Sequence, residues 1–181
     1  MKPTYAELDA ALDHIFAAPK DEAEIQMLCN RPDFRVRNFT DQLKATRAGG
    51  IENCRWTQAP WLQKEDGSGD ERIQVSILQK RVLDLVWNEG DTNAPHPGDT
   101  FIVDMDLSEA NLPIGTRLQA GSAVLKVSDY WNNACTKWKV RYGADALDWV
   151  RAAPHERRRG VLCEIVGDGI IENGAILKKL P

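Results

Sequence analysis

The sequence predicts an α+β fold, mainly β, built as a barrel with a few peripheral helices. Three observations carry that expectation. From residue 73 onward the chain falls into short runs, "IQVSIL", "TFIVDMDL", "TRLQAG", "AVLKVSDYW", "GVLCEIVG" and "GAIL", each β-branched or alternating in polarity. Gly, Pro and Asp punctuate these runs, which favours a barrel or sandwich over a doubly wound parallel sheet. Within this part, helical spacing is confined to the stretches around "QKRVLDLVW" and "DALDWVRAA".

Ahead of residue 73 the signals are mixed. Thr4 followed by Glu7 is a capping-box pattern, and Leu8, Leu12, Ile15 and Phe16 then recur at helical spacing, so a helix is expected over 4–17, before Pro19. "AEIQML" reads as a strand. "RPDFRVRNFTDQLKATRAGG" is a charged connection of weak periodicity that ends on two glycines. "QAPWLQKEDGSGDER" lacks apolar periodicity and reads as a mobile loop able to act as a lid. A chain of 181 residues suits one domain. The expected organisation is a helix-and-strand extension over 1–44 packed on a barrel domain over 45–181, the two forming one structural unit.

A formal net charge of -4 offers no broad attraction for nucleic acid. No apolar run approaches the roughly 18–20 residues that span a bilayer, and "MKPTYAELDA" is not a signal peptide, so no membrane role and a cytoplasmic location are expected. The four cysteines form no CxxC pair and no zinc-spaced cluster. Cys29 and Cys163 lie in apolar runs and read as small buried hydrophobes. Cys54 in "GIENCRW" and Cys135 in "NNACTKWKVRYG" have polar neighbours and are the candidates for chemistry.

Around Cys135 stand Lys137, Lys139 and Arg141, cations that favour a thiolate able to attack electrophiles, carry sulfane sulfur or ligate a soft metal. If this segment is extended, all four side chains share one face. The histidines, His14, His96 and His155, are scattered, so a Cys–His hydrolase would depend on a tertiary contact. "HERRRG" is either a solvated loop or a site for an anion. Asp104 and Asp106 read as a strand end leading into a turn in which Asp106 or Ser108 bonds local backbone. Phosphate-loop glycine patterns are missing from the sequence.

The order of motifs resembles the MOSC domains, named from the C-terminal domain of molybdenum-cofactor sulfurases. The matching stretches cover roughly residues 45–178: "GIENCRW", "IQVSIL", "PGDTFIVDMDLSEANLPIGTRLQAGSAVLKVS", "NNACTKWKVRYG" and "RRRGVLCEIVGDGIIENGAIL". The most specific are Cys135 with Lys137 and Tyr142-Gly143, and "DMDLSEANLPIGTRL", close to the "DLDLSEANLPPGTRL" of a stand-alone bacterial branch. The resemblance implies a MOSC-like β-barrel with Cys135 in a pocket, as catalytic sulfur carrier or molybdenum ligand. It further implies molybdopterin as cofactor, held by Arg55, Thr100, Lys137 and Arg141, and a role in sulfur transfer or in reduction of N-oxygenated compounds. A small-molecule ligand and a sulfur donor or electron-transfer protein are the expected partners, and pyridoxal phosphate is not expected on this chain. The alternatives are a cofactor-free binding or carrier module and a metal-free cysteine enzyme. In the turn, Asn53-Cys54 stand where the family has Gly-Asp. Asn tolerates positive φ, and Cys54 is either a second pocket thiol, able to pair with Cys135, or a neutral replacement.

Overall fold

The computed structural model describes residues 2–91 and 94–181. Its strands are β1 (Glu22–Gln26), β2 (Cys29–Asn30), β3 (Asn38–Phe39), β4 (Gln42–Thr46), β5 (Gly50–Ile51), β6 (Val75–Gln79), β7 (Phe101–Val103), β8 (Arg117–Ala120), β9 (Ala123–Val127), β10 (Val161–Gly167), β11 (Gly169–Glu172) and β12 (Ile176–Lys179). Its helices are α1 (Tyr5–Ala10), α2 (Leu12–Phe16), α3 (Lys80–Val86), α4 (Thr136–Tyr142) and α5 (Ala144–Ala152). Seven strands close a barrel in the order β1-β12-β8-β9-β10-β6-β7, with β7 pairing back onto β1. The β1 strand, from the N-terminal segment, is thus one stave of the barrel. The β6–β7 pair is parallel, and α3 supplies its crossover. The other barrel pairings are antiparallel, with a bulge in β10 between Ile165 and Gly167.

Period-two alternation divides each strand between two environments. Ala123, Leu125 and Val127 of β9 and Val161, Cys163 and Ile165 of β10 point into the barrel core with Val75, Ile77 and Phe101. Leu78 and Ile102 point outward and join a second core with Leu8, Ile15, Val82, Trp149 and Val150 of the helices. The β6 strand is buried on both faces, with Val75 and Ile77 inside the barrel and Leu78 against the helices outside it.

The expected first helix forms as two, α1 and α2, separated at Ala11. The capping box is present: the Thr4 hydroxyl accepts from Glu7 N–H at 3.3 Å and the Glu7 carboxylate accepts from Thr4 N–H at 2.8 Å. The charged stretch after Cys29 makes a β2–β3 hairpin, whose loop spans 31–37, and then β4, which pairs with β5 and β11. Among the described residues no helix is long and apolar enough to cross a membrane.

His96 lies under this hairpin, with its ring edge-on to Phe39 and Trp87 at 5.1 and 5.0 Å. Its Nδ1 accepts from Gly98 N–H at 3.0 Å, which assigns the ring hydrogen to Nε2. Burial lowers its pKa from the usual 6.5 to about 4. The folded state therefore resists a proton that the unfolded chain takes up as pH falls through 6.5, and stability falls with pH. The expected loss from this group is about 2 kcal/mol between pH 7 and pH 5. Urea denaturation of wild type and H96Q at both pH values checks it: the difference between the two slopes should carry this loss.

Candidate functional site

A cavity of about 470 Å³ lies against the outer wall of the barrel. Its floor follows from strand alternation. Ser76 and Leu162 are cross-strand partners on β6 and β10, and each sits between residues that point into the barrel core, so both face outward into the cavity. Around them stand the 31–37 loop, Arg55 and Trp61, the Pro97–Asp99 turn, residues 131–135 and α4. Gly160 turns the chain into β10 at φ +88°, where a Cβ would collide with the Ile77 carbonyl. That tight turn brings Arg159 to the cavity wall.

Residues 136–142 are helical, which corrects the extended arrangement considered for the Cys135 segment. The alternation "KWKVRY" has period two, but Trp138 and Tyr142 are also i, i+4, and that spacing wins because both find buried partners. Their rings meet edge-on at 4.7 Å, Trp138 Nε1 donates to Ala146 O at 3.2 Å, and Tyr142 Oη donates to Pro95 O at 2.6 Å. On the helix so fixed, Lys137 and Arg141 fall together on the cavity side, while Lys139 is not among the lining residues. Cys135 is the exposed N-cap residue of α4, makes no side-chain capping bond, and lines the cavity. Just before it, Ala134 is held at φ +59°, a conformation that costs a non-glycine residue about 1–2 kcal/mol.

The walls are strongly cationic. Arg31, Arg35, Arg37, Arg55, Lys137, Arg141 and Arg159 line the cavity against two carboxylates, Asp33 and Asp99, in a chain whose net charge is -4. Burial, and then the nearby Arg141 charge, lower the pKa of Arg37. Asp99 is buried and its Oδ1 accepts from Arg159 Nη1 at 2.9 Å. Arg159 also stacks on Trp138, with Cζ 4.5 Å from the ring centroid. Among the described residues, four buried polar atoms on the cavity lining have no hydrogen-bond partner: Arg37 Nε, Arg55 Nη1, Trp131 Nε1 and Asp99 Oδ2. An unmet buried polar group costs about 1–3 kcal/mol, so the cavity is arranged for contents that bring several acceptors and one donor.

Four of the five residues singled out from the sequence, Arg55, Cys135, Lys137 and Arg141, converge on this cavity. Thr100 is not among its lining residues. It is buried at the β6–β7 seam, where its hydroxyl accepts from Ser76 N–H at 3.0 Å, so it braces the floor. Cys54 is not a lining residue either: its sulfur accepts from Arg31 N–H at 3.2 Å and it packs on the barrel core. With Arg55 N–H donating to Arg31 O at 3.0 Å, Cys54 ties the 31–37 loop to the "GIENCRW" turn. Asn53 adopts φ +59° in that turn.

Within "HERRRG" the three arginines part ways. Arg157 donates to Leu112 O at 2.6 Å and Arg158 to Glu156 at 2.6 Å, leaving Arg159 for the cavity. Among the described residues no histidine lines the cavity, so none is placed to activate Cys135. The expected lid stretch is tied down by a Gln63–Gly69 bridge and by Trp56 Nε1 donating to Asp70 O at 3.0 Å, and it contributes Trp61 to the mouth. Asp104 pairs with Arg81 at 2.7 Å, and Asp106 accepts from Ser108 N–H at 2.9 Å as the turn reading requires. Arg31, Arg37 and Asp99 were not foreseen as site residues. Their signal was composition alone, arginines recurring in "RPDFRVR" and an Asp after Pro-Gly.

Neither a family model nor a curated protein matches the chain. Solved structures do. YuaD from Bacillus subtilis superposes with a TM-score of 0.61 at 18% identity, covering 87% of this chain and 95% of that one. A hypothetical protein gives 0.60 at 18% identity over 90% and 70% of the two chains. YiiM from Escherichia coli gives 0.55 at 16% identity over 88% and 70%. With the closed seven-stranded barrel and a cysteine-bearing cavity on its wall, the chain has the MOSC-like β-barrel fold.

Proposed function

We propose that the cavity binds molybdopterin and that Cys135 serves there as molybdenum ligand or sulfur carrier. The observation that carries this reading is the set of four partnerless buried polar atoms on a cationic wall beside an exposed thiol. A pterin phosphate offers acceptors for Arg37, Arg55 and Trp131, while a pterin edge carries N–H donors suited to Asp99 Oδ2. Lys137, Arg141 and Arg31 add charge that neutralises the phosphate, and Arg suits it better than Lys through its planar fork. Among the described residues no group of three or more His, Cys, Asp or Glu side chains could hold a metal ion by itself. A metal on Cys135 would thus depend on ligands from a cofactor, and a soft thiolate suits molybdenum carried by sulfur ligands. Bound there, the cofactor would supply two-electron redox chemistry for reduction of N-oxygenated compounds; in the sulfur-transfer role Cys135 would instead hold the sulfur to be passed on.

The exposure of Cys135 supports exchange with a partner, a sulfur donor or an electron-transfer protein, and the four free thiols suit a reducing cytoplasm. Molybdenum and pterin analysis of protein made in a host competent for cofactor synthesis tests the reading. Near-stoichiometric amounts of both are expected. Their absence would overturn it in favour of a cofactor-free binding module on the same barrel.

A further inference from the structure

Phe34 is 62% exposed at the tip of the 31–37 loop, yet it touches two of the cavity's cations. Arg55 Cζ lies 3.9 Å from its ring centroid and Lys137 Nζ 5.5 Å from the same point. Among the described residues no carboxylate pairs with either cation. Asp33, the neighbour of Phe34 in the loop, accepts from Phe34 N–H at 2.6 Å. Two like charges therefore meet at one neutral ring, whereas Arg72 pairs with Asp70 and Arg81 with Asp104.

That choice of partner has a chemical consequence. A carboxylate would neutralise Arg55 and occupy its in-plane N–H groups. An aromatic face attracts a guanidinium through the ring quadrupole and occupies only its flat side, leaving the edge donors unspent. Arg55 Nη1 is such a donor, buried and without a hydrogen-bond partner. Lys137 likewise keeps its ammonium donors while the ring limits where the flexible stem can place them. Loop attachment makes the ring a fixed support, because Arg31 is bonded through backbone N–H to Cys54 Sγ and through its carbonyl to Arg55 N–H.

We propose that Phe34 is a positioning residue that holds Arg55 and Lys137 on one aromatic ring, pre-organised and un-neutralised, for an anionic ligand; this rests on the reading of the cavity as an anion site. Ligand affinity then depends on the ring rather than on apolar bulk.

The test is isothermal titration of inorganic pyrophosphate, at constant ionic strength, into the full-length protein and into F34L and F34Y. Position 34 is exposed, so both variants are expected to keep the parent's far-UV spectrum, and F34M replaces F34L should that one fail to fold. The expected result is pyrophosphate binding about three- to tenfold weaker in F34L and within about twofold of wild type in F34Y. Equal affinity in F34L and wild type overturns the role of Phe34, as does a loss in F34Y as large as in F34L. Wild-type protein that does not bind pyrophosphate overturns the anion-site reading itself.

Discussion

If the cavity holds molybdopterin with Cys135 on the metal, as proposed, Cys135→Ala is expected to fold as the parent does and to lose molybdenum. The first half follows from where the thiol sits. Cys135 is exposed, caps α4 without a side-chain bond, and lies outside both hydrophobic cores, so its truncation should move stability by no more than about 0.5 kcal/mol. The second half follows from its being the only cysteine among the described residues that line the cavity. Pterin is expected to be retained in part, because the arginines and Asp99 are untouched, so the metal-to-pterin ratio is the discriminating quantity. A variant with wild-type molybdenum content would remove Cys135 from the metal. Alkylation gives an independent check. Iodoacetamide should label Cys135 well ahead of Cys29 and Cys163, which are fully buried and whose thiols burial pushes up to about 11 and about 12. Equal labelling of the three would contradict the accessible position of Cys135.

The barrel was legible in the sequence because burial imposes period two. Val161, Cys163 and Ile165 face the core while Leu162 faces away, and β-branched runs between Gly, Pro and Asp turns record that division. The helix carrying Lys137 was less legible, since "KWKVRY" satisfies both periods, and tertiary burial of Trp138 and Tyr142 decides between them. The arginine wall was hardly legible. Arg31 and Arg37 arrive on a hairpin loop of weak periodicity, and Arg159 is one of three consecutive arginines whose neighbours are used structurally. What assembles them, beyond the local β2–β3 hairpin, is long-range contact: the Cys54 sulfur with the Arg31 amide, and Gly160 against the Ile77 carbonyl. Those contacts have no short-range signature. Cys54 illustrates the limit, since its polar neighbours suggested chemistry while its sulfur serves as a backbone acceptor.

Arg159→Met should destabilise the fold by about 3–5 kcal/mol, the range for removing one partner of a buried ion pair. The Asp99 side chain is 1% exposed and that of Arg159 is 13% exposed, so water screens the pair poorly. Asp99 Oδ2 already lacks a partner, and losing the 2.9 Å bond to Oδ1 would strand the whole carboxylate. Methionine keeps contact with Trp138, so the change isolates charge from packing. The double variant D99N/R159M should recover much of the loss, because an amide is far less costly to bury unpaired than a carboxylate. Urea denaturation of the two single variants and the double measures the coupling directly. A penalty under about 1 kcal/mol for R159M would mean that Asp99 is solvated or neutralised by other means. If the coupling is strong, the pair has a further consequence for the site: the one buried carboxylate in a cationic cavity is fixed in place by Arg159. Its free oxygen is then presented at a defined point to whatever donor the ligand carries.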